Sequence, residues 1–195
     1  MAFPTGRARL HLWFPDVFGF KGGIQVYSAF LLEAIRQEWS DCDYAVFLKH
    51  DREIPAGEVQ DRENLSSHIH FSGRWPSPLR TPAFATQIIG NALPNPPDLI
   101  ITTHLHFSPA AYWLKRMRGI SYWTIAHGVE AWNIRRPSLQ KALQSADRIL
   151  SVSNYTRNRL LTEQQLDPTR VSLLPNTFDS SRFKIGPKPP YLLRR

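Results

Sequence analysis

The chain has 195 residues, enough for one domain with a buried core, and its 42% hydrophobic and 21% charged content excludes disorder throughout. A formal charge of +8 favours anionic partners, yet Lys and Arg are scattered, with short clusters at Lys115–Arg118 and Arg135–Arg136, and form no long nucleic-acid-binding arm. The single cysteine, Cys42, excludes an intrachain disulfide framework and a cysteine-based zinc site.

In chain order, Met1–Arg7 lacks the basic-then-apolar layout of a signal peptide, and no apolar run along the chain is long enough to span a bilayer. The expectation is a soluble, cytoplasmic protein. Arg9–Phe14 (RLHLWF), stopped by Pro15, reads as a first strand. After a glycine-containing loop, Val26, Phe30, Leu31, Ala34 and Ile35 recur at helical spacing to about Trp39. Tyr44–Leu48 and the weaker Ile69–Phe71 are further strands, and Thr81–Leu93 is a helix closed by the proline-rich turn after it.

The second half alternates more regularly. Strands are expected at Asp98–Thr103, Ile120–Ala126, Arg148–Val152 and Val171–Leu174, with helices at Pro109–Met117, Pro137–Ala146 and Asn154–Gln165 between them. Short apolar runs alternating with amphipathic helices predict a doubly wound α/β domain: a mostly parallel sheet of six or seven strands with helices on both faces, binding ligands at the strands' carboxyl ends. Ser180–Arg195, rich in proline and basic residues, reads as a linker or the start of a further element.

Three constellations sit where such a sheet presents ligands. Gly22-Gly23 separates the first strand from the first helix, where glycines let backbone approach a phosphate at a helix N-terminus. A tight strand-to-helix turn would use the same glycines, and the spacing is not that of the dinucleotide fingerprint. His127-Gly128-x-Glu130 follows a strand directly. An imidazole there can meet a ligand, and Glu130 can orient it or bind hydroxyls; a turn of surface polar residues is the competing explanation. Ser153-Asn154 opens a helix, where capping is the default role and binding of ligand hydroxyls the minority one. His104 and His106 lack an obvious third metal ligand and read as a polar strand-end loop. Ala110–Gly119 (AAYWLKRMRG) mixes Tyr, Trp and Met with cations. That mixture suits an anionic membrane interface, but over barely three turns an ordinary amphipathic helix with a basic outer face is the preferred reading.

In order and spacing these segments resemble group-1 glycosyltransferases, the retaining family 4 of GT-B fold, across nearly the whole chain. The likeness is carried by Lys21–Ile35 (KGGIQVYSAFLLEAI), Ala126–Trp132 (AHGVEAW), Ala146–Thr156 (ADRILSVSNYT) and Arg170–Phe183 (RVSLLPNTFDSSRF), with Thr177 departing from the family's usual glycine. The resemblance implies a Rossmann-like N-terminal, acceptor-side domain at residues 1–180 and an interdomain linker at 181–195 leading to a donor-binding domain. It implies transfer, with retention, from a nucleotide-diphosphate sugar to a glycan, lipid-linked or small-molecule acceptor, as in polysaccharide or glycolipid biosynthesis. No metal, cofactor or nucleic acid is expected, and the enzyme would be cytoplasmic, with any membrane contact peripheral at the inner face. Gly22 and Gly23 would lie against the donor diphosphate and His127 would act catalytically on the transferring sugar. Glu130 and Ser153 would line the cleft, and Asn176 and Asp179 the interdomain turn. A half-cleft would be inactive alone. A non-catalytic binding module built on the acceptor domain is the other function class.

Overall fold

The computed structural model describes residues 7–19, 22–55, 68–178 and 186. Seven strands form one sheet: β1 (Arg9–Phe14), β2 (Asp43–Leu48), β3 (Ile69–Phe71), β4 (Leu99–Thr102), β5 (Ser121–Ala126), β6 (Arg148–Ser151) and β7 (Val171–Leu173). Their order is β3-β2-β1-β4-β5-β6-β7 and every neighbouring pair is parallel. All carboxyl ends therefore lie on one edge. The order reverses between β1 and β4, the position where doubly wound sheets open a ligand crevice.

Alternation along each strand divides the core in two. Leu10, Leu12 and Phe14 of β1 pack with Tyr27, Leu32 and Ile35 of α1 (Gly23–Glu38) on one face. Trp13, Phe47, Ile100, Tyr122 and Ile149 pack on the other face. There they meet α2 (Ser77–Ala92), α3 (Ser108–Arg118), α4 (Pro137–Ser145) and α5 (Asn154–Gln164). The expected fold class, a doubly wound parallel sheet with helices on both faces, is the observed one. A groove of about 340 Å³ remains beside α1, lined by Leu31, Ile35, Trp39, Trp123 and Leu150 among others.

Local chemistry explains the helix ends. Pro137 takes the first helical position of α4, where its missing N–H costs nothing. Gly119, at φ 70°, closes α3 in the left-handed conformation, its N–H donating to the Lys115 carbonyl at 2.8 Å. Asp147 fastens α3 to the sheet: it accepts from Lys115 Nζ at 2.6 Å and from the Tyr122 N–H at 2.9 Å. One element differs in extent from its sequence pattern. Helix α2 begins at Ser77 rather than Thr81 and runs through Pro82, because Phe84, Ile88 and Ala92 form a buried stripe that outweighs one missing backbone bond. The linker expected at 181–195 lies outside the described residues, apart from Gly186.

Candidate functional site

The loops that follow β1, β4 and β5 meet at the carboxyl edge, and each is held by its neighbours. Helix α1 starts on the glycine pair: Gly22 is its N-cap at φ −99° and Gly23 its first residue. Among the described residues no side chain caps this terminus, and its first turn carries no acidic residue. Its leading N–H groups and the positive end of the helix dipole lie at this edge, with the Asp16 carboxylate hydrogen-bonded to the Gln25 side chain of the same turn. Backbone conformation does not demand glycine at Gly22, and neither conformation nor space demands it at Gly23. The φ of Gly22 suits any residue, and a β-carbon on Gly23 would have nothing within 4 Å.

His127 leaves β5 two strands away from this loop, roughly 10 Å at ordinary strand spacing. Its Nε2 lies 2.9 Å from the Thr103 carbonyl oxygen at the end of β4. A carbonyl only accepts, so Nε2 carries the proton and donates. The ring also meets Tyr27 of α1 edge-on, with centroids 4.9 Å apart. Ser28 Oγ, the next residue on α1, is 3.1 Å from Thr103 Oγ1. Thr103 therefore connects the helix of the glycine loop to the histidine. Burial lowers the His127 pKa, against the opposing pull of Glu130 and of the Thr103 carbonyl. The imidazole is neutral near pH 7, and its Nδ1 is left as an acceptor.

Glu130 acts on the backbone rather than on the ring. Its Oε1 accepts from the His127 N–H at 2.6 Å and from the Gly128 N–H at 3.2 Å, folding the loop around one carboxylate oxygen. Glu130, expected to orient the imidazole or bind hydroxyls, is placed on the main chain of the loop instead. Ser153, after β6, caps α5 by accepting from the Thr156 N–H at 3.1 Å. Asn176 is exposed in the segment after β7, and Asp179 lies outside the described residues. His104 Nδ1 accepts from the His106 N–H at 3.2 Å and so caps a short 3₁₀ turn, Leu105–Phe107, a local structural role.

A family model for glycosyltransferase family 4 matches residues 21–182. The chain belongs to that family. No curated protein matches it in sequence. Among solved structures, the apo form of the lipopolysaccharide outer core galactosyltransferase WaaB aligns at TM-score 0.60 and 12% identity, covering 87% of this chain and 46% of the transferase. HepE of Anabaena, in complex with UDP-glucose, aligns at 0.59 and 13%, over 91% of this chain and 46% of its own. A putative UDP-N-acetylglucosamine 2-epimerase from Listeria monocytogenes aligns at 0.55 and 16%, over 86% and 44%. At these identities the likeness is one of fold. The chain spans about half the length of the proteins it resembles.

Several residues that shape this family member's edge have no sequence signal of their own. Asp51, after β2, accepts through Oδ2 from the N–H groups of Val17 (2.6 Å) and Phe18 (3.2 Å), tying down the loop that leads to Gly22. Burial raises its pKa, and that of Asp16 in the same loop. Gly73, after β3, lies backbone to backbone on this turn: a β-carbon there would fall 2.1 Å from the His50 carbonyl oxygen and 2.3 Å from that of Asp51. Tyr27 could have been suspected only from its place one turn into α1.

Proposed function

We propose that the chain is the N-terminal, acceptor-side half of a retaining GT-B glycosyltransferase, which moves a sugar from a nucleotide-diphosphate donor to a glycan, lipid-linked or small-molecule acceptor. One observation carries the reading. An uncapped helix N-terminus opens on a glycine pair, with open space where a β-carbon on Gly23 would stand, at the same sheet edge as a neutral histidine whose ring is held by the Thr103 carbonyl and Tyr27. Membership of family 4 and a fold shared with a UDP-glucose-bound HepE support it.

The two loops divide the chemistry. The N–H groups at Gly22, Gly23 and the start of α1 would accept the diphosphate, whose charge grows as the sugar departs; fixed amide dipoles favour that charge without reorganising. A side chain at either glycine would hold the diphosphate away from those amides. His127, as a neutral acceptor at Nδ1, suits a sugar hydroxyl rather than a phosphate oxygen. Its benefit is catalytic where that bond strengthens as the sugar distorts toward an oxocarbenium-like state. Glu130 and Ser153 keep the neighbouring loops in place, while Asn176 and Asp179 belong to the turn toward a second domain. That domain would supply the cations a leaving diphosphate needs and would close the cleft against water. No metal or further cofactor enters this scheme, and the setting would be cytoplasmic.

The test is sugar transfer by the complete protein from a panel of nucleotide-diphosphate sugars, with the product anomer read by NMR. The reading expects a product of retained configuration, and no turnover by residues 1–195 alone. An inverted product, or turnover by the 195-residue chain, contradicts it.

A further inference from the structure

We infer that the outer face of helices α2, α3 and α4 is a docking surface for an anionic lipid bilayer. This inference does not rest on the sugar-transfer reading.

Charge is the first observation. Helices α2 to α4 contain Arg80, Lys115, Arg116, Arg118 and Lys141 and no Asp or Glu, whereas α1 on the opposite face carries Glu33, Arg36 and Glu38. The chain's +8 is therefore not evenly spread. Lys115 is neutralised by Asp147, but Arg116, Arg118 and Lys141 are exposed. Complementing the carboxyl end of α3 accounts for cations in its last turn; it does not account for Lys141 or for the apolar residues among them.

Those apolar residues are the second observation. Trp113 is 63% exposed and Met117 56%, one turn apart on α3, the spacing that puts them on one stripe. Ile89 of α2 is also exposed, and Trp75, just before α2, and Leu79 in its first turn are about half exposed. Large apolar and aromatic side chains interleaved with cations, on helices lying along one face, fit a headgroup region: rings settle at its boundary while cations meet lipid phosphates. A recess between α3 and α4, lined by Tyr112, Lys115, Arg116, Gly119 and Ser145, offers Arg116 as its unpaired cation among the described residues and gives one headgroup room. The α-layer lying flat on a bilayer leaves the carboxyl edge, with Gly22, Gly23 and His127, opening sideways along the membrane.

Co-sedimentation of the 195-residue chain with phosphatidylcholine vesicles, with and without about 30% phosphatidylglycerol, at roughly 0.1 M salt, tests this. The chain should bind only the anionic vesicles, and raising salt to about 0.5 M should release most of it. Arg116→Glu with Lys141→Glu should weaken binding about tenfold or more. Trp113→Ala with Met117→Ala should weaken it severalfold, with an unchanged melt by circular dichroism because both side chains are exposed. Arg36→Glu with Arg148→Glu makes the same change in net charge on the α1 side and should change binding by less than about twofold. Absence of binding, equal binding to neutral vesicles, or equal losses from the two charge reversals overturns the inference. So does a dimer that Trp113→Ala dissociates without changing vesicle binding, since the face would then be covered by a second copy of the chain.

Discussion

The glycine loop and the histidine loop are built with the same device from different distances along the chain. In each, one carboxylate oxygen accepts from two successive backbone N–H groups, at 2.6 and 3.2 Å. Asp51 does this for Val17 and Phe18, and Glu130 for His127 and Gly128. Glu130 is three residues from the first amide it holds, and Asp51 is thirty-four from its own. The histidine loop is therefore a local structure that presents a side chain. The glycine loop is a tertiary structure that presents backbone, and it depends on the packing of β1, β2 and β3.

The largest expected effect strikes that dependence at its base. Gly73→Ala would drive a β-carbon into the carbonyls of His50 and Asp51, backbone that cannot step aside. A loss on the order of 3 kcal/mol or more is expected in urea unfolding. A variant as stable as the parent would show that the β3 loop does not brace the glycine loop. Next, Asp51→Ala should cost about 2–3 kcal/mol, because it leaves two part-buried amides unpaired and unties two strands. Glu130→Ala should cost about 1–2 kcal/mol, since its loop is closer to solvent and can recruit water. Equal losses from the two would erase the distinction between tertiary and local support.

Acid acts with opposite signs on the buried histidines and the buried carboxylates of this edge, and the glycine-loop side holds both kinds, since burial also lowers the His50 pKa. Burial lowers the His104 pKa to about 4 and lowers that of His127 beside it. Below the unfolded value of 6.5 the unfolded chain binds more protons than the folded one, so stability falls as pH drops from 6.5 toward 4. Asp16 and Asp51 have raised pKa values, so the folded state binds more protons just above 3.8 and gains stability as pH falls through that window. Urea midpoints should fall between pH 7 and pH 5, and His104→Gln should flatten that fall. A midpoint independent of pH over this range would show that these histidines titrate as they do in water.

What the sequence disclosed follows the same local-to-tertiary line. Periodicity located all seven strands and the described helices to within a few residues, because each buries its own stripe; α2 began early because packing of Phe84 and Ile88 overrode Pro82. The glycine pair and His127-Gly128-x-Glu130 were visible as short motifs after strands. Asp51, Gly73 and Thr103 were not, since each acquires its role only when the parallel sheet brings strand ends together. Nor could the sequence show that Glu130 binds amides rather than imidazole, which depends on how three residues turn.

The central claim is that backbone at Gly23 holds the donor while His127 serves the transition state. Steady-state sugar transfer by the complete protein, with kcat and donor KM resolved for Gly23→Ala and His127→Ala beside thermal melts, tests it most directly. Alanine fits the empty space at Gly23 and favours the helix, by at most about 1 kcal/mol. That variant should melt no lower than the parent while its donor KM rises at least about tenfold. His127→Ala should keep its donor KM and lose about thirty- to a thousandfold in kcat, corresponding to roughly 2–4 kcal/mol. Unchanged kinetics in both variants, or a His127→Ala protein that merely unfolds, would contradict the assignment and return both loops to structural roles.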